Sequence, residues 1–438
     1  MYSIVLAGFY VIVREYFYAG LIINLLSASA FLITGYYLVQ NVFNRATAVF
    51  FVLAATATFT FQDYTVQAGS DMLFLAFCSL SLFFLFRNET RGSLVLSAMF
   101  ALLAFLTRYN GAFLIPGAFA FFLLAKQPFT FRLKRLGLWL AVFLVAGMPW
   151  FYANWQATGN PVKNDNFQNI AIEYYSIDRT DTYDQWESLI PPGIHSTLDI
   201  ILYDPVYFFQ HTLLNVARHF LADISTLIGI PLGLLVPISL IMLHWAKPDR
   251  RKLLFWAFGV FCFLILVLVF YNERFSLPLL LFYFPLAAWP FTALKRIPTR
   301  IGSLGTALAL ILIAWLCATS TYTSYKTVSV KQSAEELKSL GLDLSTQVFD
   351  PHDKIAARVP HIAHYAGLTP HMFPADLATL DDLISFCRTY NIKYIAYTFT
   401  EYQDRPSLRV LWDKQFPHPS LTRVAANRAG VIFRVEQP

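Results

Sequence analysis

A set of charged side chains stands at the ends of apolar runs, and their types suit one kind of chemistry. They are Asp63, Asp71, Arg108, Glu273 and Arg274. Arginine holds phosphate through a planar fork of N–H donors, and a carboxylate can take the proton of an attacking hydroxyl. Two arginines with two or three carboxylates therefore favour an anionic, phosphate-linked substrate that is attacked by an acceptor.

Each of these residues also has an ordinary structural explanation. Asp71 could cap the helix that begins at that point. Asp63 could be a solvated loop residue, and Arg108 could extend its charged end to the membrane interface. Glu273 and Arg274 could pair with each other or with lipid head groups. The set predicts a site only if the fold brings its members to the same place.

The elements that must position these residues are membrane helices. The chain has 438 residues, of which 57% are hydrophobic and only 14% are charged, whereas a soluble domain carries about 25% charged residues. Apolar runs alternate with basic clusters, which predicts a polytopic α-helical membrane protein of about ten to eleven spans. Lys and Arg beside the membrane account for the net charge of +6, so we expect membrane lipids and no nucleic acid as partners.

The basic residues also predict the orientation of the spans. If the span ends near Arg45, Arg87, Lys126, Lys247 and Lys295 are cytoplasmic, every inner loop is basic and no short outer loop has more than one Lys or Arg. All members of the charged set then lie on the outer side. The prediction is a multi-pass protein of the plasma (inner) membrane whose C-terminal segment is extracytoplasmic.

Two segments depart from the pattern of apolar runs. The helix predicted over 205–223 is half apolar and carries His211 and His219, so we expect it to lie on the membrane surface or to be half-inserted. The C-terminal residues predict a separate α/β domain over 326–438, after a transmembrane domain over 1–325. Its clearest elements are a helix over 380–390 and strands over 393–398 and 430–435.

Cysteine and histidine positions suggest neither a disulfide framework nor a metal site. The four cysteines are far apart and lack paired spacing, and the C-terminal histidines match no ligand motif. These residues are Cys78, Cys262, Cys317 and Cys387, and His352, His361, His364 and His371. No cofactor is predicted, and a divalent metal is left open.

Several short motifs together resemble the GT-C glycosyltransferases, in particular the protein-mannosyltransferase-like and aminoarabinose-transferase-like families. Residues 68–74 (AGSDMLF) look like the second acidic motif of these families, which precedes a span. Residues 104–111 (AFLTRYNG) resemble the Leu-Thr-Arg/Lys-x-x-Gly signature, and residues 273–278 (ERFSLP) resemble Glu-Arg-Tyr-x-x-Pro. The remaining similarity is to a span-exit motif, in Pro149, Trp150, Asn154 and the segment 158–161 (TGNP).

The resemblance implies an inverting enzyme that moves a sugar from a polyprenyl-phosphate donor to a lipid, glycan or protein acceptor on the outer (periplasmic or extracellular) face. Asp71 would orient the acceptor or act as the base, and Asp63 is the weaker catalytic candidate. Arg108 and Arg274 would hold the lipid phosphate. The full set of expected substrate-binding residues is Arg108, Tyr109, Glu273 and Arg274.

The resemblance also implies a segment ahead of Met1. Members of these families begin with an extra span and a large outer loop that carries an acidic pair, and residues 1–13 look like the apolar stretch that follows that loop. A truncated or non-catalytic scaffold with the same fold therefore stays as an alternative. A transporter is less favoured, because charges in the middle of spans are sparse and matching halves show no pair of Gly/Pro-broken helices.

Overall fold

The protein forms two compact units. The computed structural model describes the chain outside positions 88–89, 164–165, 179–185, 187–188, 247–248, 295–299, 331–333, 349, 351, 359, 374–376, 378, 414–415 and 437–438. The first unit comprises Met1–Asp165 and Asp204–Ser324, and the second comprises Asn166–Tyr203 and Tyr325–Pro438. The predicted labels, a transmembrane transferase domain over 1–325 and an extracytoplasmic domain over 326–438, stay predictions.

The first unit is built from helices. Up to the unit's first break these are α1 (Tyr2–Val13), α2 (Tyr16–Val42), α3 (Arg45–Ala57), α4 (Phe59–Thr65), α5 (Asp71–Arg87), α6 (Arg91–Thr107), α7 (Leu114–Leu123) and α8 (Phe129–Thr158). The second unit contributes α9 (Asn166–Tyr175) and α10 (Thr197–Tyr203) next in the chain. The first unit then continues with α11 (Pro205–Ala222), α12 (Leu235–Ala246), α13 (Arg250–Leu266), α14 (Glu273–Ser276), α15 (Leu280–Ala287), α16 (Trp289–Leu294) and, as far as Ser324, α17 (Arg300–Val330).

Several of these helices are long and apolar enough to cross a membrane. In the described part of the chain they are α2, α8 and Gly305–Lys326 within α17. The bent pair α3 and α4, with an angle of 67° between its members, would make a fourth. The bend follows from Thr58, whose backbone is extended and whose hydroxyl donates to the carbonyl of Ala54 at 2.8 Å. The total of ten to eleven spans stays a prediction.

Polar side chains join the helices of the first unit inside its apolar core. The hydroxyls of Thr34 in α2 and Ser79 in α5 are 2.6 Å apart. Ser97 in α6 accepts a hydrogen bond from the indole N–H of Trp139 in α8 at 3.1 Å. Small hydroxyl residues allow close helix packing and link neighbours in an apolar solvent. This packing fixes α2, α5, α6 and α8 as the frame of the unit.

Helix α8 ends later than its sequence motif predicts. Pro149 lies inside the helix, which continues to Thr158 and stops where Gly159 adopts a φ of 74°. The turn that follows is tied back by Asn154, whose side-chain amide donates to the carbonyls of Pro161 and Lys163, each at 3.1 Å. Asn154 and the 158–161 segment therefore form the predicted exit turn, whereas Pro149 is not part of it.

A five-stranded mixed sheet lies at the centre of the second unit. Its strands are β1 (Lys354–Ala356), β2 (Thr369–His371), β3 (Tyr394–Thr398), β4 (Leu421–Ala426) and β5 (Gly430–Val435), in the spatial order β2-β1-β3-β5-β4. Strand β1 pairs in parallel with β2 and β3, while β5 is antiparallel to β3 and β4. The accompanying helices are α18 (Ala334–Ser345), α19 (Pro360–Ala366), α20 (Leu380–Thr389) and α21 (Phe399–Asp404).

Strand β3 shows why this sheet is covered on both faces. All of its residues are buried, and alternate side chains enter different apolar clusters. Ile395 and Tyr397 pack into one cluster with α20, and Tyr394 and Ala396 pack into the other with α18 and α19. A strand buried on both faces reads as a continuous apolar run, as the segment 393–398 does. The helix and strands predicted over 380–390, 393–398 and 430–435 form at these positions.

Candidate active site

Asp71 lies at the end of the first unit where α5 begins and α6 ends. The two helices are consecutive and pack side by side in opposite directions, so the start of one is close to the end of the other. This arrangement brings Arg108, the residue directly after α6, beside Asp71. The Asp71 residue is only 3% exposed, so its carboxylate needs partners within the protein.

Both arginines of the predicted set provide those partners. The Nε atom of Arg274 donates to Oδ1 of Asp71 at 2.9 Å and to Oδ2 at 2.8 Å. A terminal guanidinium nitrogen of Arg108 donates to Oδ1 as well. The carboxylate is thus held by side chains from two other segments of the chain, which a role limited to capping α5 does not explain.

The turn after α6 directs Arg108 inward. A Cβ atom at Gly111 would lie 2.7 Å from the backbone nitrogen of Phe105, so only glycine permits this close return of the chain. The guanidinium of Arg108 lies 5.2 Å from the ring centre of Phe275, and the side chain is only 15% exposed. Arg108 therefore does not extend its charged end to the membrane interface. The motif has glycine at position 111 because a larger residue would clash with the backbone of Phe105.

Arg274 is presented by the short helix α14. Asn272 caps this helix by accepting from the backbone N–H of Arg274 at 2.9 Å. The guanidinium then lies 5.9 Å from the ring centre of Tyr64. Its side chain is 40% exposed, so it contacts Asp71 on one side and remains accessible on the other. The bonds to Asp71 take the place of the pairing with Glu273 that the sequence left open.

The other predicted site residues lie in the same region but outside these bonds. Asp63 belongs to α4 rather than to a loop and is half-buried. Glu273 is the first residue of α14 and is also half-buried. The ring of Tyr109 packs against Phe105 and Trp150, with ring centres 5.4 Å and 6.0 Å away. Substrate or catalytic roles for these residues stay predictions.

Residues that the sequence reasoning did not select hold the site in place. Asn24 is fully buried in α2, and its side-chain amide donates to the carbonyls of Tyr64 and Gln67. This contact fixes the segment that carries the ring beside Arg274. The position of Asn24 in the sequence could have indicated this role, because a lone amide inside an apolar run is costly in a membrane unless it is hydrogen-bonded. Phe275 stands at the aromatic position of the 273–278 motif, but its contact with Arg108 could not be predicted from that position.

The charges of the bonded cluster do not cancel. One carboxylate and two guanidiniums leave a formal charge of +1 on Asp71, Arg108 and Arg274, before the nearby carboxylates of Asp63 and Glu273 are counted. The guanidinium donors themselves can be shared with an anion. Within the described residues, no group of three or more His, Cys, Asp or Glu side chains is arranged to hold a metal ion. Metal dependence stays open.

Comparisons with known proteins bear on the fold. Residues 1–152 match the family model described as dolichyl-phosphate-mannose-protein mannosyltransferase. The crystal structure of ArnT from Cupriavidus metallidurans bound to undecaprenyl phosphate matches with a TM-score of 0.58 and 13% identity, covering 99% of this chain and 87% of ArnT. This chain has a GT-C fold. A search of the curated proteins found no match.

A second GT-C structure, from an archaeon, also matches. The oligosaccharyltransferase AglB from Archaeoglobus fulgidus, in complex with an inhibitory peptide and a dolichol-phosphate, has a TM-score of 0.56 and 12% identity. The match covers 92% of this chain and 61% of AglB. The GT-C fold and the apolar helices identify a multi-pass membrane protein, and the predicted resemblance is confirmed at this level.

Proposed function

We propose that this chain is an inverting glycosyltransferase that moves a sugar from a polyprenyl-phosphate donor to an acceptor hydroxyl on the outer face of the plasma membrane. The observation that carries the proposal is the convergence of Arg108 and Arg274 on Asp71. The acceptor belongs to a lipid, a glycan or a protein. The structural relatives support the donor class, because ArnT was solved with undecaprenyl phosphate and AglB with dolichol-phosphate.

The arginines suit the leaving group of this reaction. As the bond between the anomeric carbon and the phosphate oxygen breaks, its electron pair stays on that oxygen and the phosphate gains negative charge. Guanidinium donors that are already in place stabilise charge that develops in the transition state. Arg274 is the accessible member, and Arg108 lies deeper with 15% of its side chain exposed. The two would hold the phosphate from adjacent sides.

Asp71 suits the acceptor side of the same reaction. The acceptor oxygen forms the new bond to the anomeric carbon on the face opposite the leaving phosphate, and its proton passes to the carboxylate. In the structure both carboxylate oxygens accept hydrogen bonds from arginine. A donor phosphate competes for those donors, so its binding would free oxygens of Asp71 for the acceptor hydroxyl. Donor binding would in this way prepare the base.

Binding and turnover test the proposal in separate steps. The full-length protein in nanodiscs is first titrated with undecaprenyl phosphate, and Arg274→Gln is compared with Arg87→Gln. Arg87 ends the helix that Asp71 begins, about 24 Å away for a helix of 17 residues, so it controls for loss of an arginine near lipid. We expect saturable binding that Arg274→Gln weakens and Arg87→Gln leaves unchanged.

The second step offers polyprenyl-phosphate-linked sugars carrying a radiolabel, together with a membrane extract that supplies acceptors. We expect transfer of the label and release of polyprenyl phosphate. If the protein binds undecaprenyl phosphate but transfers none of the sugars tried, the transferase proposal is overturned and a non-catalytic scaffold is favoured. Equal binding by the wild type and the Arg274→Gln variant would overturn the phosphate role of the cluster.

A further inference from the structure

Helix α11 is amphipathic, but it exposes apolar side chains and buries a row of polar ones, the reverse of a helix on a soluble protein. Large apolar side chains make up much of its outer surface: Val206, Phe209, Leu213 and Leu221 are all between 56% and 66% exposed. One row of polar residues, at every fourth position, is buried, whereas Gln210 and Arg218 are exposed. The row consists of His211, Asn215 and His219, and Asp223 continues it directly after the helix. An apolar outer surface suits lipid, and a buried polar row faces the protein.

The row lies against the segment that leads to Arg274. The side-chain amide of Asn215 donates to the carbonyl of Val267 at 3.4 Å. The rings of His219 and Tyr271 meet edge to face with centres 5.3 Å apart. Between Leu266, where α13 ends, and Glu273, where α14 begins, the backbone forms neither helix nor strand. Tertiary contacts must therefore hold this segment.

Asp223 provides the most buried of these contacts. It opens a π-helical turn, Asp223–Gly229, and is 0% exposed. The phenol of Tyr283 in α15 donates to its Oδ2 atom at 2.9 Å. The π-helical turn also packs directly against α14, the helix of Arg274. The hydroxyls of Tyr271 and Ser276 lie near the same carboxylate, although Tyr271 makes no hydrogen bond to it.

We propose that Asp223 is a positioning residue for Arg274. The turn that Asp223 opens packs against α14, and Tyr271 and Ser276, which stand on either side of Arg274 in the sequence, have their hydroxyls near the Asp223 carboxylate. Fixing them fixes the short helix α14, whose guanidinium must reach two oxygens of Asp71 at once. The inference rests on the proposed function, since its value to the protein is the placement of a phosphate-binding group. π-Helical turns often occur at functional sites.

The test is a double-mutant cycle on undecaprenyl phosphate affinity, with the full-length protein in nanodiscs. We expect Asp223→Ala to weaken binding roughly 10- to 100-fold, because an error of about 1 Å in a positioned group has effects of this size. In an Arg274→Gln background the same change should have little further effect. Ser97→Ala is the matched control, because it removes a buried hydroxyl contact elsewhere in the unit. Equal losses in both backgrounds would overturn the proposal.

Hydrogen exchange gives a readout that needs no ligand. The backbone N–H groups of Arg274 and Phe275 both donate to Asn272, at 2.9 Å each. Asp223→Ala should speed their exchange, and Ser97→Ala should not. Unchanged exchange would overturn the positioning role even if the protein binds no polyprenyl phosphate, so the two failures are distinguishable. If Asp223→Ala does not fold, Tyr283→Phe removes a single donor and should show the same pattern with smaller effects.

Discussion

Two carboxylates, one in each unit, are bonded in contrasting ways. Asp71 in the first unit accepts from two guanidiniums, and one of these, Arg274, has 40% of its side chain exposed. Glu401 in the second unit is 0% exposed and accepts from backbone N–H groups of Arg358, at 3.1 Å, and Thr398, at 2.8 Å. Both carboxylates are buried and satisfied, but different parts of the protein satisfy them.

The Glu401 arrangement serves the fold. Thr398 ends β3, and Arg358 follows β1 after one intervening residue. Glu401 therefore ties together the ends of two parallel neighbours in the sheet, and it also completes a capping box with Thr398. Backbone donors cannot move away to admit a ligand without breaking the sheet, and the Thr398 hydroxyl, which also donates to Glu401, belongs to the same capping box. The fold therefore fixes the partners of this carboxylate.

The Asp71 arrangement can exchange its partners. Side-chain donors on long flexible stems can turn from one anion to another, and the cluster keeps a formal charge of +1. Burial of a carboxylate alone therefore does not indicate function. The type of donor that satisfies it, and the exposure of that donor, separate a candidate site from a structural contact.

The largest expected effect is on turnover at Asp71. Asp71→Asn keeps the size of the side chain but removes its ability to accept the acceptor's proton. We expect transfer to fall by about 10²–10⁴-fold, the usual contribution of general-base catalysis, while the protein still folds. Label transfer per folded molecule is the measurement. Near-normal turnover would return Asp71 to a capping role, since asparagine caps a helix about as well as aspartate.

The next effect is on donor affinity at Arg274. Arg274→Lys keeps the charge but loses the planar fork of donors, so the proposed bidentate contact with the donor phosphate cannot form. Losing a hydrogen bond to a charged group costs about 1.5–3 kcal/mol, which corresponds to roughly 10- to 100-fold weaker binding of undecaprenyl phosphate. Arg87→Lys is the control and should bind like the wild type. If the two lysine variants bind equally well, charge alone accounts for the site.

A change at Glu401 should affect stability without affecting the chemistry. Glu401→Gln places an amide N–H₂ against backbone N–H groups, and an unsatisfied buried donor costs about 1–3 kcal/mol. We expect faster hydrogen exchange at the amides of Arg358 and Thr398, and unchanged turnover per folded molecule. A selective loss of turnover in this variant would contradict the contrast between the two carboxylates.

The smallest effect concerns pH and the Lys393–Asp353 pair at the edge of the sheet. The ammonium of Lys393 lies 2.7 Å from the carboxylate of Asp353, and this hydrogen bond raises the pKa of Lys393. The contribution to stability is therefore complete below the ordinary lysine pKa of about 10.4 and is lost as the pH rises through the higher folded value. Above that pH the thermal midpoint of the wild type should fall slightly more steeply with pH than that of the Lys393→Gln variant. If the two proteins give the same dependence of thermal midpoint on pH, the pair contributes nothing measurable to stability.

Parts of the site could be predicted because their geometry is local. Asp71 and Arg108 flank consecutive helices, and consecutive apolar runs joined by a short connection pack in opposite directions. Their proximity therefore follows from the pattern of runs. The glycine of the 104–111 motif belongs to the same local geometry, because Gly111 sits where the chain passes over Phe105.

Other features could not be read from the chain. The segment 205–223 was expected at the membrane surface or half-inserted because it mixes apolar and polar residues. Composition alone does not say which face a helix turns toward the protein. The structure buries the polar row and exposes the apolar surface. The contacts of Asn215 and His219 with the segment after α13 decide this orientation.

The sequence by itself indicated a membrane protein built from apolar helices and selected the charged side chains of the candidate site. Apolar runs of spanning length and charges at their ends follow from residue types, and those types already indicated phosphate and acid–base chemistry. Tertiary structure alone decided that Arg274, 203 residues away, bonds to Asp71 rather than to its neighbour Glu273. The physical reason is that a contact across such a separation depends on how all the intervening helices pack, and no local preference encodes it.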